Sequence, residues 1–119
     1  MLATGLAAAW AQTAAAQVSS GFDGQYVGAL TLLDVIAGDC TPPPLGAVYP
    51  LTVSGGRVSF AYVPRFATTL TGSVAANGVF KASARTKHGY VEMTGEIRGN
   101  RVSAQIVSPS CRYAFQTAY

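Results

Sequence analysis

The stretch EMTGEIRGNRVSAQI, residues 92–106, decides the fold. Gly99 and Asn100 at its centre suit a two-residue hairpin loop. Folding about them sets Ile97 against Val102, Gly95 against Ala104 and Met93 against Ile106. The other face then carries Glu92, Thr94, Glu96, Arg98, Arg101, Ser103 and Gln105. A one-residue slip would bury that whole polar set, so the register is strongly specified.

Two further stretches repeat the logic upstream. In YPLTVSGGRVSFAY, residues 49–62, a Gly55-Gly56 loop sets Val53 against Val58, Leu51 against Phe60 and Tyr49 against Tyr62. Around Asn77-Gly78 a two-residue loop fails, because it would oppose Val74 to Lys81. A three-residue loop, Ala76-Asn77-Gly78, sets Val74 against Phe80, Gly72 against Ala82 and Leu70 against Ala84. Such a loop ends in a left-handed residue that forms a G1 bulge, and Gly78 is suited to it. The three hairpins share a spacing of roughly 21–23 residues, a repeating meander.

Two strands flank the hairpins. GQYVGALTLL, residues 24–33, places Tyr26, Gly28, Leu30 and Leu32 on one face. From Arg112 to Tyr119, Tyr113, Phe115, Thr117 and Tyr119 share a face. The fold class is therefore all-β, an antiparallel up-and-down meander of about eight strands. Closing it into a small barrel removes the exposed edges. Cys40 follows the first strand and Cys111 precedes the last, so first and last strands as neighbours would let these cysteines form one disulfide. Closing that long loop is worth roughly 4 kcal/mol by chain entropy. The connection 34–48, with Pro42-Pro43-Pro44, reads as a stiff strap in polyproline II geometry.

The chain has 119 residues, which suits one domain. Residues 1–16 are uncharged and end in Ala14-Ala15-Ala16, which reads as a cleaved export signal despite the absence of a basic residue after Met1. Residues 17–119 then form the mature domain, exported to a periplasmic or secreted location. Two cysteines used as a disulfide agree with an oxidising compartment.

The formal net charge is +3, and its distribution is uneven. Asp23, Asp34 and Asp39 are the only charges in the first third, whereas every basic residue lies from Arg57 onward. A basic second half suits an acidic partner, an anionic glycan or lipid headgroups, or serves solubility alone. No basic cluster is interleaved with aromatics as nucleic-acid binding requires.

Catalysis finds little support. His88 is the single histidine, so no two-imidazole metal site is expected and no cofactor is implied. Glu92 and Glu96 lie four residues apart on one strand, about 13 Å, wider than the roughly 5–9.5 Å of glycosidase carboxylates. Arg85, Lys87 and His88 form the densest basic turn, a candidate anion-binding site whose affinity His88 would make pH-dependent, or simply a solvated turn. Gly28, Gly72, Ala82, Gly95 and Ala104 are small inward residues, expected to line a cavity or to make room for inward rings.

The architecture resembles avidin-like and lipocalin-like carriers and small bacterial proteinase-inhibitor barrels. The alternating aromatics of the last seven residues resemble the assembly signal of outer-membrane barrels. Against a membrane-spanning role stand hairpin strands of about six residues, where lipid needs about 9–11, and a charged outward face. These features lead to an exported, non-catalytic binding or inhibitor module whose partner is an unidentified protein, an anionic glycan or a small ligand. The alternatives are a small-ligand carrier with an internal cavity and a structural, envelope-associated protein.

Overall fold

The computed structural model describes residues 21–62, 68–87 and 89–117, with the side chain of Tyr62 excepted. The expected export signal, residue 88 and the last two residues therefore lie outside the described residues. Eight strands form one closed antiparallel barrel in sequence order. They are β1 Gly24–Val35, β2 Tyr49–Ser54, β3 Arg57–Tyr62, β4 Thr68–Val74, β5 Val79–Thr86, β6 Gly89–Arg98, β7 Arg101–Val107 and β8 Cys111–Thr117.

The hairpin registers follow from matching apolar faces. Ile97 faces Val102, Gly95 faces Ala104 and Met93 faces Ile106. Leu51 faces Phe60 and Val53 faces Val58. Gly55 and Gly56 take φ of +60° and +79°, the two left-handed residues of a type I′ turn. The β4–β5 hairpin sets Val74 against Phe80 and Gly72 against Ala82. The Gly78 amide donates to the Ala75 carbonyl at 3.0 Å, and the Ala75 amide donates to the Val79 carbonyl at 2.9 Å. With Gly78 at φ +91°, this is the three-residue loop and G1 bulge expected from the sequence.

Closure comes from β1 against β8, with Leu30 opposite Phe115 and Leu32 opposite Tyr113. β1 runs two residues further than the sequence suggests. The register shifts between Leu32 and Asp34, leaving Leu33 as an extra, exposed residue. Beyond the bulge Asp34 pairs with the Arg112 guanidinium, and Val35 sits opposite Cys111.

Alternation divides each wall into an oily inner face and a polar outer face. Phe60, Phe80, Tyr113 and Phe115 are fully buried, and Phe60 meets Phe115 edge to face at 5.1 Å. Among the described residues no polar or charged side chain other than tyrosine is buried.

The inward glycines Gly28, Gly72 and Gly95 lie where neighbouring strands approach closely. A Cβ on Gly28 would lie 2.9 Å from the Phe115 ring, and one on Gly95 would lie 2.6 Å from the Ser103 carbonyl oxygen. A Cβ on Gly72 would overlap the Lys81 carbonyl oxygen. Those glycines let the wall coil tightly, and the Phe115 ring occupies the space beside Gly28.

Gly72→Ala should destabilise the barrel by more than about 2 kcal/mol, since backbone of the neighbouring strand must move. Urea unfolding of the variant beside the parent protein measures this. An unchanged midpoint would contradict the packing described.

Candidate functional site

The two ends of the barrel differ. One end carries the tight turns between β2 and β3, β4 and β5, and β6 and β7. There Asp23 accepts hydrogen bonds from the Gly55 and Gly56 amides at 2.8 and 3.1 Å. Tyr26 donates its hydroxyl to the Phe22 carbonyl at 2.6 Å.

The other end carries the strap, here residues 36–48, together with the turns that follow β5 and β7. Three sets of contacts hold the strap. Cys40 and Cys111 form a disulfide with Cα atoms 5.8 Å apart. The Ile36 and Ala37 amides both donate to the Ser110 carbonyl, at 2.7 and 3.1 Å. Tyr113 rises through the barrel mouth and donates its hydroxyl to the Thr41 carbonyl at 2.8 Å. Burial raises the Tyr113 pKa above the ordinary 10.0. The Tyr26 pKa is raised too, first by burial and then by the Asp23 charge.

Past these anchors the strap projects into solvent. The Ala47 amide donates to the Pro44 carbonyl at 3.1 Å, closing a β-turn with Leu45 and Gly46 at its centre. Gly46 has φ +81°, the left-handed third position of a type II turn. Leu45 at the tip is fully exposed, with a relative accessibility of 105%. Val35, Ile36 and Val48, at this same end, are also exposed. An apolar residue at the tip of a stiff, stapled loop has no role in the core. In the sequence this segment reads as a stiff strap, and its neighbours give no signal that Leu45 is exposed.

The basic turn shares that end. The Arg85 guanidinium lies 6.0 Å from the centre of the Tyr90 ring, a cation–π distance. Lys87 is exposed beside it, and the Thr86 hydroxyl donates to the Gly89 carbonyl at 2.9 Å. His88, the third residue expected there, lies outside the described residues. A Cβ on Gly89 would meet the Pro109 ring, so this turn packs on the turn that carries Ser110. Among the described residues there is no cluster of three or more His, Cys, Asp or Glu able to hold a metal ion. The same residues contain no helix long and apolar enough to cross a membrane. The disulfide points to folding in an oxidising, exported environment.

Comparison with protein-family models, with characterised proteins and with solved structures yields no match.

The Tyr113 hydroxyl generates a pH dependence. Its raised pKa means the folded chain resists ionisation that the unfolded chain undergoes near pH 10. Stability is thus complete below about pH 10 and is lost as pH rises through the folded pKa. Tyr113→Phe should cost about 1 kcal/mol at pH 8 by removing the bond to the strap. It should also reduce the alkaline loss, leaving the part due to Tyr26. Thermal unfolding at pH 8 and pH 11 measures both effects. An alkaline loss unchanged in the variant would contradict this role of Tyr113.

Proposed function

We propose that the chain is an exported, non-catalytic binding or inhibitor module that docks on a protein partner through the strap. The carrying observation is Leu45, fully exposed at the tip of a turn held by three prolines and a disulfide. Preorganisation makes such a loop a good binding element, because little conformational entropy remains to be lost on docking. An exposed leucine gains when it enters an apolar pocket on a partner. The barrel supplies a rigid scaffold, and binding residues commonly sit on loops held by one. Arg85 and Lys87 at the same end favour a partner whose pocket has an acidic rim.

One feature supports the non-catalytic part of this reading, and another the water-exposed setting. Both cysteines are joined to each other, which removes them as nucleophiles. The outer wall carries Lys81, Glu92, Glu96, Arg98 and Arg101, which suits water better than lipid. The barrel therefore works as a soluble module in a periplasmic or secreted setting.

The test immobilises the full chain and exposes it to periplasmic and secreted fractions of the source cells. A partner retained by the parent protein should be lost with Leu45→Asp and kept with Val27→Asp, an exposed valine on the barrel wall. Retention of no partner, or the same set retained by Leu45→Asp, would overturn the proposal.

A further inference from the structure

A second feature lies at the opposite end of the barrel, independent of the strap. At the turn-bearing rim, the ends of β6, β7 and β8 frame a half-open cleft of about 500 Å³. That volume falls in the range of small-ligand sites, about 300–1,000 Å³. Glu96, Arg98, Arg101, Ser103, Gln116 and Thr117 line it, with Val102 as the only apolar residue.

Strand pairing assembles these side chains. Glu96 faces Ser103 across β6 and β7, and Ser103 faces Gln116 across β7 and β8. Arg98 faces Arg101 directly across the Gly99-Asn100 turn. Like charges directly opposite on a hairpin destabilise it. Glu96 offsets the charge of Arg98 alone, and a bound anion would remove the remaining repulsion.

The two guanidinium groups are differently placed. Arg98 makes an ion pair with Glu96 through Nε, at 3.1 Å, which leaves its terminal nitrogens for a ligand. Arg101 has no ion pair or hydrogen bond from its side chain among the described residues, and the same holds for the side chains of Ser103 and Gln116. The Thr117 hydroxyl accepts from the Val102 amide at 3.1 Å, fixing the floor of the cleft.

We infer that this cleft binds an acidic saccharide. Arginine forks match a pair of oxygens on a carboxylate or a sulfate group. Ser103 and Gln116 offer donors and acceptors to sugar hydroxyls, and the second Glu96 oxygen accepts from another. The lining contains no aromatic ring for a sugar face to stack on, so charge supplies the affinity. A neutral sugar should therefore bind far more weakly.

The test uses the full-length, disulfide-bonded chain labelled with ¹⁵N. Four probes are titrated at constant ionic strength: a heparin-derived tetrasaccharide, tetragalacturonate, cellotetraose and sodium sulfate. At least one acidic saccharide should cause saturable amide shifts at residues 98–103 and 116–117. Cellotetraose should cause none. Arg101→Ser should weaken the acidic sugar about tenfold, the loss expected of one charge-assisted hydrogen bond. Arg101→Lys, which keeps the charge but not the fork, should also weaken it. Arg57→Ser, at a different turn of the same end, should change affinity less than about twofold by removing only distant charge. The inference is overturned by silence toward both acidic sugars or by shifts centred on Arg85 and Lys87. Sulfate binding as tightly as the sugars, or equal losses in the Arg57 and Arg101 variants, would overturn it as well.

Discussion

Everything in this molecule depends on the pairing of the first strand with the last. Without it, β1 and β8 would be open edges offering unpaired amides and carbonyls to any passing strand. With it, Leu30 packs opposite Phe115 and Leu32 opposite Tyr113, and the inner face becomes a continuous oily core. Such pairing is costly to form, because it joins residues from opposite ends of the domain. The Cys40–Cys111 bond lies just beyond this seam, with Val35 paired to Cys111. It ties the chain where the closure entropy is largest.

The closed wall leaves its two ends free to differ. At one end, short turns keep every loop close to the barrel, and Asp23 anchors the N-terminal approach to the Gly55-Gly56 turn. At the other, the bulge at Leu33 redirects the chain into the strap, which is fastened at Ile36, Cys40 and Thr41 and then released. The projection of Leu45 follows from that fastening. A free loop with the same sequence would be able to fold its leucine against the wall. The arginine cleft needs the closed wall in another way, since Gln116 reaches Ser103 only through the pairing of β7 with β8.

The hairpins were legible in the sequence because turn length and face alternation constrain each other. Around Gly99-Asn100 only one register kept Glu92, Glu96, Arg98 and Arg101 in water, and around Gly78 only a three-residue loop kept Lys81 there. The bulge in β1 was hidden by the run Leu30-Thr-Leu-Leu33, where either register leaves an apolar residue on each face. The inward position of Gly28, Gly72 and Gly95 was readable, but their purpose was not. It depends on how closely the neighbouring backbones approach. Leu45 and the cleft were illegible for a similar reason. Exposure of one leucine, and the placing of Arg101 and Gln116 on one cleft, are properties of assembled strands. The disulfide was readable because two cysteines flanking the first and last strands have few other geometries open to them.

The closing seam is directly measurable by NMR on the oxidised protein in solution. A closed seam requires cross-strand nuclear Overhauser contacts between Leu30 and Phe115 and between Leu32 and Tyr113. It also requires slow hydrogen exchange for the hydrogen-bonded amides of β1 and β8, comparable with those of β6. Fast exchange along both strands, with no contact between them, would show an open sheet and contradict the account at its root.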